Sequence, residues 1–462
     1  MPILSRLYSC CCVLLLALPH YLKAQVAAQE IAFTHVNVIT MDGRKVLRNQ
    51  TVVVRGSVIY QIGPAKKTQP GKEAYIIEAK GKFLIPGISE MHAHIPIPKA
   101  EDESLLEETL LLYLYNGITV IRGMLGDPFH LILQDRASTG KILSPRVYTA
   151  SPSLNGNSVK TPEEARQKVV QYAAERYDFL KIHPGIALPV MEALAAQAKA
   201  SKIPFAGHVP AAVGIHKALS LGYAAIDHLD GFVEGLIPDT TGIRLEDNNW
   251  FGYPFTNLAD KKRIKPLVKA TARAGTWIVP TQSLLVNWYA PISGAELVNQ
   301  PGMQYVAPGT RFQWQRFKQQ IVDHPRYHPD TARQFIELRK QILREMERHK
   351  VNLLLGSDAP QVGNVPGFSI HAEMKALHEA GLSNYTILKS GTVNPARFLG
   401  AEDAFGVIRR GASADLLLLN GNPLDDIANM QRIAGVMTLG RWIPDTWITA
   451  QLAVIAAKNA GQ

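Results

Sequence analysis

The stretch Phe83-Leu84-Ile85-Pro86-Gly87-Ile88-Ser89-Glu90-Met91-His92-Ala93-His94 decides how this chain is read. Apolar and β-branched residues run from Phe83 to Met91 and read as a strand. Two histidines, two residues apart, close it. Strand residues at i and i+2 point to one side, so His92 and His94 converge while the small Ala93 faces away. Imidazoles paired in this way suit zinc or a neighbouring first-row metal.

Outward from that stretch the pattern repeats. Eight strands are expected: Phe83–Met91, Ile118–Gly123, Arg146–Ala150, Phe179–His183, Pro204–His208, Ala225–His228, Trp277–Pro280 and Asn352–Asp358. Helical stretches such as Glu163–Arg176 and Pro189–Ala200 separate them. Strands alternating with helices imply βα units and a parallel sheet. The expected fold class is therefore α/β, a (β/α)8 TIM-type barrel spanning 85–404. The gap from Thr281 to Lys350 is longer than the rest and rich in aromatics, including Trp288, Tyr289, Phe312, Trp314 and Phe317. It is expected to be an insertion at about 282–350, either a lid at the barrel mouth or a decorative helical hairpin.

Both chain ends read differently. Val36-Asn37-Val38-Ile39 and Thr51-Val52-Val53-Val54 flank the turn Met41-Asp42-Gly43. Leu416-Leu417-Leu418-Leu419 and Gly435-Val436-Met437-Thr438 supply late strands. Residues 28–84 with 405–450 are expected to form one small β-sandwich domain, with the barrel inserted between its halves.

The first residues form a leader. Arg6 is followed by the apolar run Cys10 to Leu18, and Ala24 precedes Gln25. That is the pattern of a signal peptide at 1–24, the run being about half of the roughly 20 residues a membrane span needs. A secreted or periplasmic protein is expected. All three cysteines, Cys10, Cys11 and Cys12, fall in this segment. A mature chain would hold no disulfide, thiol nucleophile or thiolate ligand. The formal charge of +10 would fall to about +8 as Arg6 and Lys23 leave. No basic cluster with interleaved aromatics accompanies it, so nucleic acid is not an expected partner. At 47% apolar and 19% charged residues, the 462-residue chain reads as globular.

Six residues fall at C-terminal strand ends, the face that carries active sites in such barrels. They are His92 and His94, Lys181, His208, His228 and Asp358. Singly, each has an ordinary structural explanation, Asp358 for example as a helix N-cap. Together they form a series.

That series resembles the amidohydrolase superfamily, and within it the branch of imidazolonepropionase-like enzymes and metal-dependent Xaa-Pro dipeptidases (prolidases). Gly207-His208, Asp227-His228, Gly356-Ser357-Asp358-Ala359-Pro360, Gly391-Thr392-Val393-Asn394-Pro395-Ala396 and Gly411-Ala412-Ser413-Ala414-Asp415 carry the likeness over nearly the whole mature chain. It implies a binuclear centre of two divalent ions, zinc or alternatively Mn, Co or Fe. His92 and His94 would hold the inner ion. Lys181, carboxylated by carbon dioxide, would bridge, and His208 and His228 would hold the outer ion. Asp358 would be both ligand and proton carrier. The implied reaction is cleavage of an amide-type C–N bond, in a dipeptide or N-acyl amino acid, by metal-activated hydroxide. Alternatives are a lactonase or phosphotriesterase on the same site, a mononuclear cyclic-amide hydrolase or deaminase, and a non-catalytic binding protein. His183, Tyr223 and His371 are candidates for substrate contact or for support of the ligands. Ser153-Leu154-Asn155-Gly156-Asn157 and Arg122-Gly123 depart from the Gly-Gly-His-Gly-like and Arg-Asp segments of relatives. The expected partner is a small amide or dipeptide, with self-association left open and no membrane span after leader cleavage.

Overall fold

The computed structural model describes residues 30–100, 102–238, 242 and 250–461. The leader expected at 1–24 lies outside them. Among the described residues no helix is long and apolar enough to cross a membrane.

The chain begins in a sheet. β1 (Glu30–Ile39), β2 (Val46–Arg55) and β3 (Val58–Pro64) form an antiparallel meander. β4 (Tyr75–Glu78) and β5 (Phe83–Pro86) then pair parallel to β1. Seven parallel strands follow in chain order: β6 (Ile88–Ala93), β7 (Ile118–Gly123), β8 (Arg146–Leu154), β9 (Phe179–Ile182), β10 (Phe205–Gly207), β11 (Ala225–Asp227) and β12 (Trp277–Val279). The chain returns to the first sheet through β13 (Leu416–Leu419), β14 (Ile433–Thr438) and β15 (Arg441–Pro444), with β13 antiparallel to β5. That sheet curls over its own apolar face, so that Phe33 of β1 meets Trp442 of β15 edge-on at 5.3 Å. The architecture is a TIM-type barrel with a β-sandwich built from both chain ends.

Two of the expected strands need correction. The stretch read as one strand, Phe83–Met91, is two strands in two sheets. The switch falls on Gly87: its N–H donates to Asp415 of the terminal sheet, and the next N–H, of Ile88, donates to Gly117 at the barrel. A Cβ on Gly87 would stand 2.1 Å from Thr119 Oγ1, so only glycine lets β5 turn into β6 there. The eighth barrel strand is not regular. Leu353 bridges to Ile278 and Ala359 to Ala93. Between them, Asp358 N donates to His92 O at 2.9 Å. Gly356 lies so close to β6 that a Cβ would come within 2.8 Å of His92 N, and Asp358 turns into left-handed backbone at φ 65°. The segment closes the ring between β12 and β6 while bending away from ladder geometry.

The stretch expected as a single insertion divides in two. Helices Gln282–Tyr289, Gly294–Val298 and Pro308–Val322 share a satellite core with Leu297, Met303, Trp314 and Val365. Helix Pro329–Arg348 instead buries Ala332, Phe335, Leu338, Ile342, Leu343 and Met346. That is a 3–4 spacing laid along the main core, and it makes this helix the barrel's own outer helix for the seventh βα unit.

Candidate metal centre

Strand ends bring the histidines together. His92 lies within β6, and its ring centroid stands 5.6 Å from that of His94 and 4.7 Å from that of His228. His228 follows β11 in left-handed backbone, φ 61°, a conformation rare for a bulky side chain and typical of sites where geometry is imposed. His208, after β10, stacks within 4.6 Å of His228 and 5.1 Å of His183. Asp358 Oδ1 sits 2.6 Å from His94 Nε2 and 3.3 Å from His92 Nε2, and Oδ2 lies 3.8 Å from His228 Nδ1. Ligand-capable atoms of His92, His228 and Asp358 all lie within 4.8 Å of one another, and all three residues are buried.

The electrostatics suit a cation. Burial holds His92 down at about 4, against the upward pull of Asp227 and Asp358, and it holds His228 well below its ordinary value. Both imidazoles are therefore neutral near pH 7, with lone pairs to offer. Burial pushes Asp358 up, but the surrounding His92 and His94 prevail and hold it well below the usual carboxylate range. Asp358 Oδ1 lies 2.6 Å from His94 Nε2 and His92 Nδ1 3.2 Å from Asp227 Oδ2, yet neither contact is aligned as a hydrogen bond. Buried polar atoms are rarely left without an aligned partner, and a metal ion held among His92, His228 and Asp358 would give Asp358 one. The residues fit the group.

Supporting side chains fix these ligands. His208 Nδ1 and Asp230 Oδ2 stand 2.6 Å apart, the kind of carboxylate–histidine pair that fixes the tautomer of a ligating imidazole. His228 Nδ1 meets Thr281 Oγ1 at 2.9 Å. Glu90, fully buried, accepts from His92 N at 2.9 Å and Ser357 N at 2.8 Å, and from Ser357 Oγ at 2.5 Å. One carboxyl group thus ties the backbone of β6 to that of the Asp358 segment. Burial pushes it up to about 8. Tyr113 donates to Ala359 O at 2.6 Å, and Asn364 to Ser357 O. Arg339 is buried completely. It donates to His228 O at 2.7 Å, to Pro280 O at 2.9 Å and to Gln282 Oε1 at 2.8 Å. Its helix therefore reaches through the wall to hold the backbone on either side of the active face.

The remaining expected residues are placed unevenly. Lys181 is buried in β9, where Nζ lies 3.2 Å from Asp227 Oδ2. Asp227 links it to the cluster, its Oδ2 lying also 3.2 Å from His92 Nδ1. Arg122 pairs with the other oxygen of Asp227 at 3.2 Å and donates to Met91 O at 2.7 Å. His183 shares the face and meets Ser153 Oγ at 2.6 Å. Tyr223 does not face the open site. Its hydroxyl donates to His208 O at 3.1 Å from beneath. His371 makes no hydrogen bond to Asp358. It is buried in helix Phe368–Glu379 with Nδ1 unpartnered, and burial lowers it to about 4. Glu90, Asp227, Asp230 and Arg339 were not singled out from sequence. Their signal was a charged residue inside or directly beside an apolar strand or helix face, where charges are rarely buried without a partner.

A cavity of about 520 Å³ opens beside His208, between the segments that follow β9, β10 and β11.

Comparison with known proteins agrees with this fold. The amidohydrolase family model matches residues 83–443. Among solved structures, the bottromycin amidohydrolase AH has 20% identity and a TM-score of 0.69, covering 95% of this chain and 93% of its own. A candidate prolidase from Bifidobacterium longum has 21% identity and a TM-score of 0.68, covering 93% and 99%. A Xaa-Pro dipeptidase with methionine bound in its active site has 19% identity and a TM-score of 0.65, covering 90% and 100%. At these identities the likeness is one of fold. A dihydroorotase from Bacillus pumilus is 33% identical over 87 residues, and that match spans 19% of this chain and 19% of the relative. With the family model covering most of its length, the chain belongs to the amidohydrolase family and is a hydrolase acting on carbon–nitrogen bonds.

Proposed function

We propose that this protein hydrolyses an amide-type C–N bond in a dipeptide or N-acyl amino acid, at a binuclear centre held by His92, His94, Lys181, His208, His228 and Asp358. The observation that carries the reading is the buried His92, His228 and Asp358 cluster, with atoms within 4.8 Å of one another and with His94 and His208 against it. Divalent ions bound there would lower the pKa of water to near neutrality and polarise the scissile carbonyl.

The chain's own groups do the rest. Asp358, held ionised, would take a proton from the attacking water and return it to the leaving amine. Neutral His92 and His228 present nitrogen lone pairs, and Asp230 fixes the tautomer of His208. Lys181 as an ammonium cannot ligate, whereas its carbamate supplies two oxygens. Carboxylation leaves one N–H on Nζ, and Asp227 Oδ2, 3.2 Å away, is the acceptor for it. Burial pushes Asp227 up, but His92, Lys181 and Arg122 together hold it well below the usual carboxylate range.

Metal analysis of the mature protein should find close to two ions per chain, and fewer than one would refute the binuclear centre. A screen of dipeptides, N-acyl amino acids, lactones and phosphotriesters should show amide turnover above the rest. Turnover confined to lactones or phosphotriesters would overturn the amide assignment. Export through the leader predicts a mature N-terminus at Gln25 by intact mass.

A further inference from the structure

The hairpin of β14 and β15 carries a charge that no acid answers. Thr438 and Arg441 stand opposite each other across it, so their side chains leave the same face of the sheet. The turn between them, Leu439-Gly440, is pinned. Leu439 N donates to Asp415 Oδ1 at 2.7 Å, and Gly440 N to Ala414 O at 3.1 Å. Both turn residues are left-handed, at φ 48° and 77°, and a Cβ on Gly440 would stand 1.8 Å from Gly56 O. The backbone therefore fixes where Thr438 and Arg441 sit.

Both line a cavity of about 280 Å³ where the terminal sheet meets the segment that follows helix Pro128–Ser138 of the barrel. Ser57 lines it from the sheet, and Ile142 and Ser144 from the barrel. Thr438 is 2% exposed, and its hydroxyl has no hydrogen-bond partner among the described residues. Nε of Arg441 is buried without one as well. Buried polar atoms are rarely left so, and a cation withdrawn from water is normally paired. The nearby acids are engaged elsewhere. Asp415, which holds the turn, pairs with Arg146 at 2.9 Å, and Asp135 of the helix pairs with Lys141 at 3.7 Å. Burial lowers Arg441 below its ordinary value, with no carboxylate pulling it back up. The hydroxyls of Ser138 and Thr139 donate to carbonyls of their own helix, and that of Ser144 to Pro145 O. Arg441 and Thr438 are thus donors in want of an acceptor. A guanidinium fork matches the paired oxygens of a carboxylate or phosphate, and the space suits such an ion rather than a drug-sized ligand.

We propose that this cavity binds a small oxyanion, a phosphate, a sulfate or a short carboxylate, on the guanidinium of Arg441 and the hydroxyl of Thr438, and so fastens the terminal sheet to the barrel. The site uses none of the metal ligands.

Calorimetry on the metal-loaded protein with phosphate, sulfate and acetate, and with chloride as control, reads the binding. An oxyanion held at the metal centre binds Arg441→Gln as well, so the heat that this variant loses belongs to the cavity. Arg441→Gln should weaken that component at least about tenfold. Thr438→Val, which keeps the shape, should weaken it about three- to tenfold, and it carries the same comparison if Arg441→Gln does not fold. A stronger response to phosphate and sulfate assigns a tetrahedral oxyanion, and a stronger response to acetate assigns a carboxylate; either supports the site. Thermal unfolding separates a ligand site from a structural arginine. In chloride, Arg441→Gln should unfold no earlier than wild type, because it removes a buried charge without a partner. In saturating oxyanion, wild type should rise further than the variant. Equal oxyanion heats in wild type and both variants overturn the proposal, as does a response matched by chloride, which marks an adventitious ion only. An Arg441→Gln protein that unfolds earlier than wild type by the same margin with and without oxyanion makes the residue structural and overturns it too.

Discussion

Replacing Arg339 should loosen the active face from outside the barrel. The guanidinium is fully buried and donates to three acceptors, His228 O, Pro280 O and Gln282 Oε1, at 2.7–2.9 Å. Arg339→Met keeps the aliphatic stem and leaves all three acceptors bare. A buried acceptor without a donor costs about 1–3 kcal/mol, so three cost about 3–9 kcal/mol. Against this, removing the charge relieves a burden. Burial lowers the guanidinium from 12.5 to about 10, which corresponds to about 3 kcal/mol. The net expectation is a loss of about 0–6 kcal/mol, centred near 3 kcal/mol. Arg339→Lys keeps the charge, but an ammonium on a flexible stem cannot reproduce the planar fork, so it should recover less than half. Two measurements separate the outcomes. Denaturant unfolding of the metal-free protein reads stability, and metal retention against a competing chelator reads the placement of His228. Both variants should lose metal sooner than wild type. If Arg339→Lys unfolds within about 0.5 kcal/mol of wild type and keeps its metal equally well, the fork is not what holds the His228 and Pro280 carbonyls.

Other consequences are accessible to simple assays. Asp358→Asn preserves shape but cannot accept a proton, and kcat should fall at least about 10²-fold; unchanged turnover would remove Asp358 from the proton path. Lys181→Ala should lose most activity and bound metal, with partial rescue by acetate or propionate supplying the missing oxygens; no rescue would argue against a carbamate. Glu373, which accepts from Gln282 N and Ser283 N at 2.9 and 2.6 Å, is pushed by burial up to about 7 from 4.5. Its folded form holds the proton more tightly, so its stabilisation is complete below pH 4.5 and is lost as pH rises to about 7. Glu373→Gln should flatten that part of the unfolding free energy against pH, by about 3 kcal/mol at most; identical slopes for the two proteins would place the titration elsewhere.

The barrel and its histidines were legible because period-two strands put their ends, and so His92, His208 and His228, on one face. What stayed hidden depended on contacts across the fold. Gly87 looks like any glycine within an apolar run, and only its approach to Thr119 makes it the junction of two sheets. The Asp358 segment reads as a strand, yet its glycine and its left-handed aspartate bend it out of the ladder. Arg339 is camouflaged in a helix carrying Arg333, Lys340, Arg344 and Arg348, although it falls on the stripe of Phe335, Leu338 and Ile342. Glu90 stands two residues before His92, on the same strand face, and period-two reasoning could have found it. His371 had no such geometric support, since it is buried with Nδ1 unpartnered and no hydrogen bond joins it to Asp358 among the described residues.

The pairing of β5 with β13 bears on biogenesis. Leu84 sits directly across from Leu418, so the strand that leads into the barrel waits for almost the last part of the chain before that edge is covered. A nascent chain could complete all seven regular barrel strands while β5 still offered open backbone donors and acceptors, the arrangement that invites intermolecular strand addition. Truncation or proteolytic nicking before Leu416 would therefore leave the catalytic face complete in sequence while exposing an adhesive edge at its base. Such a product is expected to be lost to aggregation before its chemistry fails.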